Sequence, residues 1–411
     1  MGDTNMQHRP SRQMSNRTSG SELDWGIILA LLLFMIIGLS SIFQAALHSQ
    51  YGTMQMAMRT TIIQGIFWGI GTLIIIFLLR FDASQLWRLA PIAYGLGVFL
   101  LVAVLIFYDR QMANVTGAKS WFVLGPISFQ PSEVVKPAFI LMLSRVVAQH
   151  NREYEHHTTR TDGFLLGKMI LWFLPIGALI ALQNDLGTLL VFIAIFGGVA
   201  LVSGITWRIL GPVIGLAATI GVTLLALVTS TPGKIILDKL GFKLYQFDRI
   251  QTWLHPDQDT SASGYQTYQS LKAIGSGQLT GNGFGNLKVY VPVRESDMIF
   301  SVIGESFGFI GGAILIALYF GLIYRLIRAT FKAQNAFYAY IATGVVMMVL
   351  FHVFENIGMS IGLLPLTGIP LPFISQGGSS LLGNLIGVGL ILTIGYQQQN
   401  DTFKESTGFS I

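Results

Sequence analysis

Residues Val291–Gly308 read VPVRESDMIFSVIGESFG and join a long polar insert to a hydrophobic run that begins at Met298. Arg294 and Asp297 precede that run, and a second acid, Glu305, lies inside it. A carboxylate costs free energy where water is scarce, so acids at the mouth of a hydrophobic segment are candidate functional residues. Asp is also favoured at helix N-termini, so this stretch alone leaves a capping role for Asp297 equally open.

The composition indicates an integral membrane protein. Hydrophobic residues make up 52% of the chain and charged residues 11%, whereas soluble domains carry about 25% charged residues. The absence of cysteine excludes disulfides, thiol catalysis and thiolate metal sites. The formal net charge of +5 is spread over the loops, so we expect no nucleic-acid partner.

Ten apolar runs approach the roughly 20 residues with which a helix spans a bilayer. They are Trp25–Phe43, Thr61–Leu79, Ala90–Phe107, Pro131–Ala148, Phe164–Leu182, Leu186–Ser203, Trp207–Thr229, Ile299–Tyr324, Phe337–Phe354 and Leu381–Tyr396. The fold class predicted is an all-α polytopic membrane protein, with one ten-helix domain over residues 25–396. A disordered cytoplasmic tail (1–24), a large extracytoplasmic loop between the seventh and eighth helices (230–297) and a cytoplasmic tail (397–411) complete it.

Lys and Arg in short loops predict which side of the membrane each loop faces. If the N-terminus is cytoplasmic, fourteen basic residues fall on the inside and three in short outside segments. The three are Arg59, Arg110 and Lys119. We therefore expect a multi-pass protein of the bacterial plasma membrane with both termini in the cytoplasm. The 230–297 loop is long enough to escape the rule, and its helix-like apolar rhythm and glycines predict short interfacial helices and a glycine-rich surface.

The sequence QPSEVVK, Gln130–Lys136, opens the fourth run with an acid and a base on one helical face, Glu133 and Lys136. One interpretation is a neutralising structural pair, and the other is a cationic site for a phosphate-bearing substrate. Just before it, GAKSWF supplies Lys119 and Trp121. Trp121 alone is more often an interfacial anchor than a ligand contact.

Two further polar stretches interrupt the apolar pattern. In QNDLGT, Asp185 is placed to cap the following helix or to orient polar groups at its N-terminus. Residues 356–380 contain three prolines and repeated glycines, which forbid a continuous helix and predict an irregular outer loop with Ser375 and Ser379 as candidate substrate contacts. His352 and Glu355 have metal-ligand spacing, but a core histidine is the more common case.

Under this topology the charged candidates gather near one side of the membrane and predict a single extracytoplasmic polar cavity. They are Lys119, Glu133, Lys136, Asp185, Arg294, Asp297, Glu305 and Glu355.

These motifs resemble those of the SEDS family (shape, elongation, division and sporulation), and the overall likeness is to its RodA-type members. The matching pieces are GAKSWF, QPSEVVK, QNDLGT, DMIFSVIGESFG and GLLPLTGIPLPFISQGGSS. The resemblance extends from Trp25 to Tyr396. The family usually has Pro, Glu and Tyr where this chain has Asn184, Ser306 and Gln376.

The resemblance implies a peptidoglycan glycosyltransferase that polymerises lipid II at the outer face of the plasma membrane during cell elongation. It also implies a class B penicillin-binding protein as partner, together with other cell-elongation machinery. By motif matching, Asp297 takes the family's essential acidic position, and Glu133 and Lys136 its intramembrane pair.

An α-linked donor that becomes a β-linked chain implies a single inverting displacement with one base. We expect Asp297 to be that base, although an ordinary Asp pKa of about 3.9 suits the role poorly. Lys136, Lys119 and Arg294 are candidates to stabilise the leaving pyrophosphate, and a divalent cation, Mg²⁺ or Mn²⁺, would assist. Two other functions stay open: a lipid II flippase, and a non-catalytic scaffold for the penicillin-binding protein.

Overall fold

A computed structural model describes residues 23–125, 127–239, 250, 252–254, 262–331 and 335–407. Apart from one short hairpin, the regular elements in these ranges are helices. In chain order they are α1 (Trp25–Leu47), α2 (Met54–Leu78), α3 (Ala83–Phe107), α4 (Arg110–Thr116), β1 (Phe122–Leu124), β2 (Ile127–Phe129), α5 (Pro131–Glu153), α6 (Thr159–Leu182), α7 (Leu186–Val202), α8 (Trp207–Thr229), α9 (Thr231–Lys239), α10 (Ala262–Ser276), α11 (Ile299–Phe331), α12 (Ala336–Ser360) and α13 (Gly378–Thr407). Strands β1 and β2 pair antiparallel.

Each of the ten predicted spans lies within one of these helices, up to a residue at either end. Eight helices are long and apolar enough to cross a membrane. The other two are α7, which has 17 residues, and α5, which carries Glu133, Lys136 and Arg145. The chain therefore has the architecture of a multi-pass membrane protein, as its composition predicts.

The charged helix α5 lies in the middle of the bundle. It packs against α3, α6, α7, α12 and α13, and most of its residues from Pro131 to His150 are buried. A polar helix is tolerated at membrane depth when its neighbours enclose it. The outermost span is α8, whose apolar window is only 6% buried. Low hydropathy in α5 thus reflects protein surroundings, not a position outside the membrane.

The connections at one end of the bundle form what we call the loop face: residues 48–53, 108–130, 183–185 and 361–377, with the insert that precedes α11. Contacts between them show that they lie together. The backbone N–H of Lys119 donates to Gln183 O at 2.8 Å, and Arg294 donates to the carbonyl of His48. The connections 79–82, 154–158 and 203–206 lie at the opposite face.

The predicted polar loop contains helices, as expected. Within its described residues α9 and α10 are helical, and α10 packs against α11. The expected disordered tail, 1–24, falls almost wholly on residues outside the described ranges. At the other end α13 continues to Thr407, past the predicted end of the last span at Tyr396.

Helix α11 is interrupted at Gly308, whose φ of 64° and ψ of −160° are not helical. An interruption inside a bundle leaves backbone groups that need partners. The segment 278–283 supplies them through four hydrogen bonds. They run from Phe309 N to Gln278 O (2.8 Å), Ile310 N to Leu279 O (3.1 Å), Asn282 N to Glu305 O (2.9 Å) and Gly283 N to Ser306 O (3.0 Å).

Glycines make this backbone contact possible. A Cβ on Gly277 would overlap the carbonyl oxygen of Gly304, and one on Gly281 would overlap that of Ser306. The sequence pattern predicts that these glycines form a surface against the outer leaflet. At Gly277 and Gly281 the structure instead brings the backbone against α11, where any side chain would push the two segments apart.

We expect Gly277→Ala to lower the stability of the purified protein by about 1–3 kcal/mol, because the added methyl group overpacks this contact. The matched control is Gly275→Ala, two residues earlier in α10, where an added Cβ meets nothing within 4 Å. Thermal unfolding in detergent checks this: the first variant should melt several degrees lower and the control should not. Equal melting temperatures for the two variants would contradict the close approach.

Candidate active site

The segment that carries Asp297 is fixed by hydrogen bonds to its backbone carbonyls. Gln376 N donates to Glu295 O at 2.8 Å, and Ser375 Oγ donates to Ser296 O at 2.5 Å. The Ser375 hydroxyl also accepts from Leu371 N at 2.8 Å. Ser375, a predicted substrate contact, therefore has its hydroxyl engaged by the backbone in this structure.

The next carbonyl, that of Asp297 itself, accepts from the buried amide of Asn356. The same Nδ2 donates to Ile369 O, so α12 holds both sides of the site with one side chain (2.7 and 2.8 Å). Gly368 has a φ of 78°, and a Cβ there would lie 3.4 Å from Asp297 Oδ2. The half-buried carboxylate of Asp297 is thus placed beside the 361–377 connection on the loop face.

Arg294 and Glu305 brace the insert from inside. Arg294 is 2% exposed and donates to Val289 O at 3.1 Å. Its Nη1 lies 4.0 Å from Glu305 Oε2, while Glu305 Oε1 accepts from the N–H of Lys288 and of Val289 (2.5 and 2.9 Å). Burial lowers the pKa of the Arg294 guanidinium, and the Glu305 carboxylate opposes that shift. The two side chains stabilise the segment that leads to Asp297.

A second polar cluster joins α5, α7 and α13. Asp185 caps α7 by accepting from Thr188 N at 3.1 Å, as the capping interpretation predicts. Its other oxygen accepts from Gln130 Nε2 at 2.7 Å, and Gln130 N donates to Ser379 Oγ at 3.0 Å. Burial raises the pKa of the Asp185 carboxyl, against the effect of the Thr188 hydrogen bonds.

The residue before this cap, Asn184, has a φ of 59°. Asn tolerates the left-handed region, whereas proline is confined to a φ near −65°. A relative with proline at this position must therefore connect α6 to α7 along a different backbone path.

Glu133 and Lys136 form a closed buried triad with His352. Lys136 is 1% exposed, and its Nζ lies 2.7 Å from Glu133 Oε1 and 2.9 Å from His352 Nε2. His352 Nδ1 lies 2.7 Å from Met348 O, which assigns the ring proton to Nδ1 and makes Nε2 the acceptor of an ammonium proton. A phosphate bound by Lys136 would have to displace one of these partners.

Lys119 and Trp121 lie in the connection between α4 and β1. The Lys119 side chain is exposed, and its Nζ stands 5.4 Å from the centre of the Tyr108 ring. Trp121 is half-buried, and its carbonyl accepts from Asp109 N at 3.0 Å. Of the three predicted pyrophosphate-binding cations, Lys119 is the one with an accessible ammonium group.

The two polar clusters meet at residues 367–368. A Cβ on Gly187, in the first turn after Asp185, would lie 3.0 Å from Thr367 O. A Cβ on the adjacent Gly368 would lie 3.4 Å from Asp297 Oδ2. The structure thus brings Asp297, Asp185 and the α5 triad to one end of the bundle, consistent with a single polar site.

Several side-chain amides that hold the loop face together were not singled out from the sequence. Gln64 of α2 donates to Ser375 O at 3.2 Å and accepts from Gly377 N at 3.2 Å. Gln44 Oε1 of α1 accepts from Gly285 N at 2.8 Å and from Ser306 Oγ at 3.1 Å. A buried amide inside a hydrophobic span is costly unless it is paired, and that signal could have identified them and Asn356.

In the part of the chain that the structure describes, no three His, Asp or Glu side chains lie close enough together to bind a metal ion. His352, which the sequence pairs with Glu355, has both ring nitrogens close to Lys136 and Met348.

The contribution of charge pairing in the triad to the stability of the protein can be tested directly. Lys136→Met leaves Glu133 charged and buried, which costs about 3–5 kcal/mol for a pair of this kind. The double variant Glu133→Gln with Lys136→Met removes both charges, so we expect it to melt at a higher temperature than the single variant. A double variant that is no more stable than Lys136→Met would contradict charge pairing as the reason for the triad.

Sequence comparison places these motifs among known proteins. The profile of the family described as cell cycle protein (FtsW, RodA, SpoVE) matches residues 24–400. The chain is 36% identical over 313 residues to the peptidoglycan glycosyltransferase MrdB of Escherichia coli K12, covering 74% of this chain and 77% of that one. It is 33% identical over 389 residues to stage V sporulation protein E of Bacillus subtilis 168, with 92% and 98% covered.

The fold has solved counterparts. A chain from the study "Structural coordination of polymerization and crosslinking by a peptidoglycan synthase complex" superposes with a TM-score of 0.73 at 27% identity, covering 92% of this chain and 98% of that chain. The likeness therefore covers most of the chain. This chain belongs to the FtsW/RodA/SpoVE family of cell cycle proteins.

Proposed function

We propose that this protein is a peptidoglycan glycosyltransferase that polymerises lipid II, with Asp297 as its general base. The observation that carries the proposal is the fixed backbone of the segment that bears Asp297. Three successive carbonyls, those of residues 295–297, each accept a hydrogen bond from α12 or from the connection after it. A rigidly held backbone keeps a catalytic group in reacting geometry. The names of relatives such as MrdB support the activity.

We place the loop face outside the cell and both termini in the cytoplasm. The support is the excess of Lys and Arg in the connections of the opposite face, which predicts a cytoplasmic position. In this orientation Asp297 lies at the outer edge of the plasma membrane, where a lipid-linked sugar enters from the bilayer with its head group in water.

The reaction follows from the chemistry of such a donor. The acceptor hydroxyl attacks the anomeric carbon, the bond from that carbon to the diphosphate oxygen breaks, and the hydroxyl proton passes to the Asp297 carboxylate. A single displacement inverts the α-linked donor to a β-linked product. The departing lipid diphosphate carries the negative charge away, and Lys119 is the accessible cation of those predicted to stabilise it.

Lys136 and Arg294 take a different part in this proposal. The Lys136 ammonium and the Arg294 guanidinium are buried and bound by protein partners. In this proposal they stabilise the structure around the site and do not contact the substrate. Binding of a divalent cation, Mg²⁺ or Mn²⁺, stays a prediction. The diphosphate oxygens of the substrate would have to supply ligands to that cation.

We also propose a class B penicillin-binding protein as partner, with other cell-elongation machinery around it. The support is the structural likeness to a complex described as coordinating polymerization and crosslinking. Polymerised glycan strands also need a transpeptidase to crosslink them.

Asp297→Asn tests the base. Purified protein with its cognate penicillin-binding protein and labelled lipid II should form no glycan strands with this variant, a loss of at least about 100-fold. Glu295→Gln is the matched control, since it removes a neighbouring carboxylate and leaves the backbone bonds intact. Monodisperse protein that still binds its partner must be shown for both variants. Strands formed by Asp297→Asn would remove the base assignment, and lipid II crossing vesicles without polymer would favour a flippase.

Asn356→Leu tests whether the backbone bonds position Asp297. The variant loses both hydrogen bonds from the amide, so we expect kcat to fall about 10–100-fold with little change in KM. Asn151→Leu is the control, because Asn151 also donates two hydrogen bonds, to Ser203 O and Tyr340 Oη, but at the opposite face. If both variants lose stability alike and Asn356→Leu keeps its kcat, Asn356 has only a structural role.

A further inference from the structure

We propose that Trp87, Arg145 and Arg152 form a binding site for the phosphate group of an anionic membrane lipid at the face opposite the active site. We call this group the Trp87 cluster. Nothing in the glycosyltransferase reaction needs it, because it lies at the other end of α3 and α5 from the loop face.

The cluster is built around one indole ring. The guanidinium carbons of Arg145 and Arg152 each lie 5.1 Å from the centre of the Trp87 ring. Arg145 Nη1 also donates to Trp87 O at 2.8 Å. Because both distances end at one centroid, the two guanidinium groups can be no further apart than twice that length. The ring itself is fixed by an edge contact with Phe337 at 5.1 Å.

The two cations are not neutralised by the protein. Among the residues that the structure describes, no carboxylate lies within 4.0 Å of either guanidinium, whereas two other cations of this face have one. Arg325 pairs with Asp24 at 2.8 Å, and Lys168 pairs with Glu153 at 3.6 Å. The two guanidinium groups lie within about 10 Å of each other, twice the 5.1 Å distance to the shared ring, so one anion beside the ring interacts with both.

A phosphate ester suits this arrangement. A guanidinium offers a planar fork of N–H donors that matches phosphate oxygens, and the indole fills the interfacial position that Trp favours. Arg145 already uses one Nη for Trp87 O, which orients its remaining donors. Basic pockets between membrane helices on the cytoplasmic side are typical sites for anionic lipid head groups.

The surroundings favour a lipid over a free phosphate ion. Helix α3, which bears Trp87, exposes Ile92, Leu96 and Phe99 further along its length (67%, 58% and 65% exposed). They lie on the side of α3 away from Trp87, so they make α3 a bilayer-facing helix without lining the cluster itself. A lipid whose head group reaches the cluster would come from that bilayer.

The alternative is that these arginines serve only to orient the protein in the membrane. Positive charge at any exposed position on this face serves that purpose, and it gives no reason for two guanidinium groups to share one ring. The alternative predicts that every basic residue of this face contributes equally to lipid binding.

The test titrates the purified full-length protein in neutral detergent with short-chain phosphatidylglycerol, and measures the rise in melting temperature. Phosphatidylcholine with the same chains, glycerol phosphate and inorganic phosphate form the other arms. We expect saturable stabilisation by phosphatidylglycerol alone, weakened about tenfold in apparent affinity by Arg152→Gln. Arg152 is exposed, so its replacement should leave the fold intact.

Arg208→Gln is the matched control, because Arg208 is an exposed arginine of the same face without a contact to Trp87. It should keep the affinity for phosphatidylglycerol. Equal weakening by Arg208→Gln would show a general charge effect and overturn the site. Equal stabilisation by inorganic phosphate would assign it to a free anion, and an unchanged affinity in Arg152→Gln would remove the cluster from lipid binding altogether.

Discussion

Hydrogen bonds between backbone groups that are far apart in sequence determine the structure of the loop face. The irregular segments there lie at the edge of a membrane, where an unpaired N–H or C=O costs several kcal/mol. The break at Gly308 is closed by residues 278–283, and the carbonyls of residues 295–297 are paired with α12 and the loop after it. Between them these contacts fix both ends of the stretch that holds Asp297.

Charge is used in two ways in this bundle. Lys136 with Glu133 and His352, and Arg294 with Glu305, are buried and surrounded by protein partners. Such groups are expensive to bury, and their partners make that burial tolerable. Asp297, by contrast, is only half-buried and stands at the rim. The buried charges are thus separated from an acid at the rim, as the proposed role of Asp297 as general base requires.

Much of this arrangement could be predicted from the sequence. Hydrophobic length located ten helices of the bundle, eight of which are long and apolar enough to cross a membrane. The clustering of acids and bases located the end of the bundle that carries the candidate site. The break at Gly308 could not be predicted, because it depends on residues 278–283, which are distant in sequence. The amide contacts of Asn356 and Gln64 could not be predicted for the same reason. An amide inside a span indicates that it has a hydrogen-bond partner, but the sequence does not identify that partner.

The capping interpretation had different outcomes at the two acids where it was considered. At Asp185 the local pattern was sufficient, since a capping aspartate contacts its own helix. At Asp297, two residues before α11 begins at Ile299, the capping interpretation stays a prediction, and the structure adds a hydrogen bond from the distant Asn356 to its carbonyl. Local sequence predicts interactions within a helix, and only the fold shows those between helices.

The interruption of α11 limits how far the insert before it could be shortened in an engineered version of this protein. Since residues 278–283 complete the backbone pairing of a transmembrane segment, the insert is not a detachable module carried on a self-sufficient membrane core. A shortened version with a simple linker in its place would retain two orphan donors and two orphan acceptors within the bundle. Removal of the insert would first require substitutions at and around Gly308 that make α11 a continuous helix.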